Sequence, residues 1–127
     1  MRKNLFAIAV GLLLSTTATG GDYDGVWVFD FEVDPNSDYF VAYQRGNTLL
    51  LVSAYRELDG WEAFIGDFTS ATSADVSSLV NGDNSTVSLS IDFMSTEKGT
   101  VTVNACAPQE ICDDIPVGVP LGVNKIF

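Results

Sequence analysis

Residues 86–93 (TVSLSIDF) alternate polar and apolar positions without a break. A period of two places Val87, Leu89, Ile91 and Phe93 on one face of a strand and the polar set on the other. Residues 100–105 (TVTVNA) repeat the pattern, and Glu97-Lys98-Gly99 supplies the turn between the two. Further back, residues 26–31 (VWVFDF), 39–44 (YFVAYQ), 48–55 (TLLLVSAY) and 61–68 (WEAFIGDF) are rich in β-branched and aromatic residues, the composition of strands. Asp34-Pro35-Asn36-Ser37, Arg45-Gly46-Asn47 and Asp59-Gly60 separate them with turn chemistry. Residues 69–80 (TSATSADVSSLV) offer only Val76, Leu79 and Val80 for packing; a loop, an irregular edge strand or one helical turn begun by Asp75 all fit. In the tail, Pro116 and Pro120 exclude a central strand early on. A final strand is expected from about Gly122, with Ile126-Phe127 tucked into the core.

Strands at this spacing, joined by short turns, predict an all-β antiparallel meander. Trp27, Phe29 and Phe31 share one face of the first strand, Tyr39, Val41 and Tyr43 one of the second, and Trp61, Ala63 and Ile65 one of the fourth. About seven or eight strands with aromatics turned inward on these faces predict a small barrel, with a β-sandwich as the alternative. A barrel also removes the edges that a sheet must otherwise protect.

The first twenty residues are not expected to belong to that domain. Met1-Arg2-Lys3-Asn4 is basic, residues 5–14 (LFAIAVGLLL) form a ten-residue apolar run, and residues 15–21 (STTATGG) are small and polar. This is the layout of a secretory signal peptide, with cleavage expected after Gly20 or close to it. The apolar run is about half the roughly 20 residues needed to span a bilayer. The reading is therefore a signal peptide over 1–20, one β domain over 21–127, and a secreted or periplasmic protein.

Charge and composition narrow the chemistry. The whole chain has 17 acidic residues, 6 basic ones and no histidine, a net charge of −11. Losing Arg2 and Lys3 with the leader leaves 4 basic residues against 17 acidic, or −13. Such a surface offers nothing to displace counterions from nucleic acid or to bind anionic lipid. The lack of histidine excludes Ser-His-Asp and Cys-His catalysis and every histidine-bearing zinc site. Cys106 and Cys112 are the only cysteines; two thiols do not complete a zinc site. In an oxidising compartment they read as a structural disulfide stapling a short turn.

Gly25-Val26-Trp27 is followed by Tyr43-Gln44-Arg45-Gly46-Asn47-Thr48-Leu49, Tyr55, Gly60-Trp61, the Gly99-Thr-Val-Thr-Val103 strand and a closing Lys125-Ile126-Phe127. This order resembles a family of short, secreted, β-rich proteins of unknown function from Gram-negative bacteria. Its members start with G-x-W, carry a Q-x-G-x-x-L strand and end in K/R-x-F. The acidic Asp34-Pro35-Asn36-Ser37-Asp38 replaces the Gly-rich stretch usual there. The resemblance implies export and a β fold and carries over no catalytic residue. Gly25-x-Trp27 also resembles the opening of lipocalin-like and avidin-like barrels and of periplasmic protease-inhibitor barrels, which implies a packing role for Trp27.

Four candidate sites remain. Asp34, Asn36 and Asp38 place oxygens at alternate positions, as calcium loops do, but an EF-hand count from Asp34 meets Tyr39 and Arg45 where Gly and Glu belong. A looser calcium site competes there with a solvated turn, as at Asp22-Tyr23-Asp24. Trp61, with Tyr55 and Phe64, offers an aromatic platform for a ligand or partner, against the alternative that they are core. Carboxylates are the only acid–base supply left; Asp30, Glu32, Glu57, Glu62 and Asp67 sit on or beside strands, and no spacing singles out a glycosidase pair. Asn84-Ser85-Thr86 matches a glycosylation sequon. The expectation is an exported, non-enzymatic binding module without a cofactor, its partner an unknown protein or small apolar ligand. The alternatives are a periplasmic inhibitor of a secreted hydrolase and a calcium-stabilised structural or adhesive subunit.

Overall fold

Eight strands follow one another along the chain: β1 (Gly25–Phe29), β2 (Tyr39–Arg45), β3 (Thr48–Tyr55), β4 (Gly60–Phe68), β5 (Ser73–Asn81), β6 (Thr86–Phe93), β7 (Lys98–Ala107) and β8 (Pro120–Lys125). Each pairs antiparallel with the next, and β1 pairs with β8 through Trp27↔Lys125, Val28↔Asn124 and Phe29↔Val123, so the sheet closes on itself as a barrel. Closure decides against the sandwich. The computed structural model describes residues 21–30, 39–55, 60–81 and 84–127. The expected leader, Phe31 and the acidic turn with Asp34, Asn36 and Asp38 lie outside the described residues.

The alternation in β6 and β7 translates directly into burial. Val87, Leu89, Ile91 and Phe93 are buried, as are Val101 and Val103 across the ladder. On β1 the expected inward face is also found, with Trp27 wholly buried and Phe29 packed against the core.

Two faces differ from expectation. On β2 the buried residues are Phe40 and Ala42, whereas Tyr39, Val41 and Tyr43 are exposed on the outer wall. On β4, Glu62, Phe64 and Phe68 are buried, while Trp61 and Ile65 are exposed and Ala63 between them is buried. The ladder explains this. Trp27 pairs with Phe40 and Gly25 with Ala42, and paired residues point to one side of a sheet. With Trp27 inside, Phe40 and Ala42 must be inside too. A tapered lumen filled by a tryptophan also needs small neighbours.

Residues 69–80, open on sequence alone, supply β5, a full member of the barrel with Ala74 and Val76 facing inward. The last strand begins at Pro120, two residues before the expected start; proline is tolerated at the first position of a strand. The terminus is not tucked into the core. Ile126 is 44% and Phe127 84% exposed, because main-chain bonds hold them: Val26 N donates to Phe127 O (2.9 Å) and Ile126 N to Val26 O (2.8 Å). A one-turn helix, α1 (Gln109–Cys112), lies between β7 and β8, where the sequence suggested only a turn.

Strand directions give the barrel two unlike ends. At one end meet residues 21–24, the β2–β3, β4–β5 and β6–β7 turns and the C-terminus. Aromatic rings plug it: Tyr23 stacks on Phe93 (3.8 Å between centroids, 7° between planes), Phe68 lies 5.9 Å from Tyr23, and Trp27 lies 5.4 Å from Phe93. Trp27 Nε1 donates to Tyr23 O (3.0 Å) and Tyr23 Oη to Ala71 O (3.2 Å), so the polar groups of these two rings are satisfied, as buried donors usually are. The other end carries the long β7–β8 connection and is not filled.

Candidate functional site

The unfilled end holds a cavity of about 290 Å³. Each strand from β1 to β8 except β5 contributes to its wall, through side chains that follow from the inward register. Phe29, Phe40, Leu51, Phe64, Val87, Leu89, Val101, Val103 and Leu121 make it apolar. Ser53 and Glu62, opposite each other on β3 and β4, and Ser85 ahead of β6 add polar atoms. The β7–β8 connection folds back over the mouth and brings Asp114, Ile115 and Pro116 to the lining.

That connection is pinned in three ways. Cys106 on β7 and Cys112 at the end of α1 form a disulfide, their Cα atoms 5.8 Å apart. Ile115 N donates to Cys112 O (3.0 Å), and Gly118 N to Val103 O (2.8 Å). Cys112 is buried and Ile115 packs against the core. The disulfide expected from sequence thus shapes the rim of the cavity as well as stapling a turn.

Of the platform residues, Trp61 and Phe64 fall on opposite faces of β4: Trp61 is 53% exposed outside, and Phe64 is buried and lines the cavity. Tyr55 ends β3, and its side chain lies outside the described residues. Among the carboxylates considered for catalysis, the structure brings Glu62 to the cavity, where the residue that joins it is Asp114, not one of that set. Asp30 accepts a hydrogen bond from Asn124 Nδ2 on the neighbouring strand. Asp67 accepts one from Thr48 Oγ1 (3.4 Å) on the outer wall. Glu32 and Glu57 lie outside the described residues.

Asp24 acts as a cap: its carboxylate accepts from Gln44 N (2.6 Å) and Gly21 N (3.1 Å). Among the described residues, no three acidic or cysteine side chains cluster as a metal site would require. Asn84 is exposed at the mouth with φ 61°, and the sequon's Ser85 is buried in the wall.

Chemically, the cavity offers apolar contact, the hydroxyls of Ser53 and Ser85 and the carboxyl groups of Glu62 and Asp114, and Tyr39 at the start of β2 also reaches its lining. The described basic residues, Arg45, Lys98 and Lys125, all belong to the plugged end; Arg56 lies outside the described residues. Sequence reasoning missed Ser53, Ser85, Asp114 and Ile115 because nothing in their local pattern marks them. The cavity exists only where the fold gathers them.

The fold and this cavity define an eight-stranded up-and-down barrel, plugged at one end and hollow at the other. No protein family, curated protein or solved structure matches the chain.

Proposed function

We propose that this protein is an exported, non-enzymatic barrel that binds a small apolar ligand through its unfilled end. The observation that carries this is the cavity, lined by aromatic and aliphatic side chains with a few polar groups among them, the usual make-up of ligand sites. Its size sets the class of ligand. A cavity of 150 Å³ holds one benzene, so about 290 Å³ suits a compact compound of about two rings rather than a long acyl chain. Glu62 and Asp114 on the wall disfavour an anionic ligand, since burying like charges together is costly. A carboxylate has about four lone-pair sites, so Glu62 can accept from a ligand hydroxyl or amine beside its bonds within the protein.

The test is titration of the purified protein with a neutral two-ring fluorescent amine such as 1-naphthylamine, alongside an anionic naphthalenesulfonate. One saturable site is expected for the neutral probe, weakened in Val103→Phe, which fills the cavity. Absence of saturable binding by any probe overturns the reading.

A second reading, inhibition of a secreted hydrolase, is favoured by one observation. The disulfide-pinned connection presents Ile111, Val117 and Val119 at 41–52% exposure, a preorganised apolar segment of the kind that binds with little ordering cost. Loss of inhibition on replacing Val117 and Val119 by Ser, with ligand titration unchanged, would separate it from the first.

A further inference from the structure

The plugged end contains an acceptor that none of the described residues serves. Gln44 Oε1 is buried and, among the described residues, accepts no hydrogen bond. Its orientation is set, because Gln44 Nε2 faces Gly46 O (3.5 Å); exchanging the two atoms would set carbonyl against carbonyl. The residue lying on it is Gly21, so close that a Cβ there would overlap the Gln44 side chain. Gly21 is also tied to Asp24, its N donating to Oδ2 (3.1 Å) and its O accepting from Asp24 N (3.1 Å). Asp24 Oδ1 in turn accepts from Gln44 N (2.6 Å). Gly21, Asp24 and Gln44 therefore enclose one small polar pocket, with a carboxylate on one side and an unserved carbonyl on the other.

We propose that this pocket is the seat of the mature N-terminus, the free α-ammonium of Gly21. The proposal rests on the signal-peptide reading. Hydrolysis of the Gly20–Gly21 bond by a signal peptidase adds one water: the carboxylate leaves with Gly20, and the nitrogen of Gly21 takes up protons to become an ammonium. As a peptide nitrogen, Gly21 N has one hydrogen, and Asp24 uses it. As an ammonium it has three. One stays on Asp24 Oδ2 as a charge-assisted bond, stronger than the amide's, and a second serves Gln44 Oε1. An unserved buried acceptor carries its full desolvation cost, so processing removes a defect that the uncleaved chain must carry. Glycine is required because any side chain meets Gln44. Removal of the leader thus completes the plug, and the folded barrel is most stable only after processing.

Two measurements test this. Intact mass and N-terminal sequencing of the exported protein should give a chain starting at Gly21; any other first residue overturns the proposal. Separately, chains released from a cleavable tag to start at Gly21 or at Gly20 are compared by thermal melting. The Gly21 start should melt about 4–8 °C higher, the shift expected from one good charged bond in a domain of this size. Nα-acetylation of the Gly21 chain should abolish the difference, and Gln44→Leu should shrink it. Equal melting temperatures for the free and acetylated chains would overturn the proposal whatever the cell does with the leader. A Gly20 start as stable as the Gly21 start would do the same. Neither measurement depends on the ligand site at the opposite end.

Discussion

Gly25 and Phe127, the first residue of β1 and the last of the chain, interlock. Gly25 has φ 148°, a backbone conformation that side chains disfavour, and a Cβ there would overlap Phe127 O. That carbonyl instead accepts from Val26 N (2.9 Å). Two residues on either side of this contact, Lys125 Nζ lies 5.7 Å from the centre of the Trp27 ring and donates to Asp22 O (3.2 Å). The G-x-W and K-x-F signatures, at opposite ends of the domain in sequence, are the two halves of the β1–β8 seam.

Gly25→Ala should therefore loosen the seam. Removing the clash means displacing the terminal carbonyl, and an alanine at positive φ adds strain of its own. A loss of about 2 kcal/mol or more is expected by denaturant titration. A loss below about 0.5 kcal/mol would show that the terminus does not hold β1.

The two tryptophans should respond unequally. Trp27 is completely buried and Trp61 53% exposed, so Trp27→Ala should cost about 3–5 kcal/mol through the cavity it leaves. Trp61→Ala should stay within about 1 kcal/mol. Paired melting curves decide, and a Trp61→Ala protein that melts lower would refute the register of β1 against β2.

Reduction of Cys106–Cys112 should lower stability by about 2–3 kcal/mol, as the short closed loop implies, while far-ultraviolet dichroism stays that of a β-barrel. Because the bond also shapes the cavity rim, reduction should weaken neutral-probe binding at temperatures where the barrel is still folded. Unchanged affinity would mean that the rim plays no part in the site.

On the outer wall, Asp67 and Asp75 stand directly opposite each other across β4 and β5, and like charges in that relation are destabilising. Asp75 accepts from Ser90 Oγ (2.7 Å), whereas Asp67 has a longer bond from Thr48 (3.4 Å). Asp67→Asn should raise the melting temperature by about 1–4 °C at low salt. The gain should shrink as salt rises, because the Debye length falls to about 10 Å at 0.1 M. A gain independent of salt would point to a cause other than repulsion.

Much of the barrel was legible from local pattern, and the exceptions share a cause. β6 and β7 alternate apolar with polar, so their inward faces could be read without knowing any neighbour. β2 (YFVAYQR) and β4 (GWEAFIGDF) are apolar on both faces, so alternation shows a strand but not which side is in. That choice came from Trp27, which through its pairing with Phe40 sets the register for the strands beyond. β5 (SADVSSLVN) was obscure because its inward residues, Ala74 and Val76, are small. The lumen needs them small beside Trp27, Phe68 and Phe93, a demand that exists only once the rings are assembled. The disulfide was legible because two cysteines permit one pairing. The cavity was not, since its polar atoms come from Ser53, Glu62, Ser85 and Asp114, scattered over 61 positions of sequence. By itself, the sequence determined an antiparallel β domain, its acidic surface, its bridge and the burial of Trp27, because each depends on residue type and near-neighbour spacing. Tertiary structure alone decided which strand faces look inward and which end stays hollow, because both depend on barrel closure, a condition on all eight strands at once.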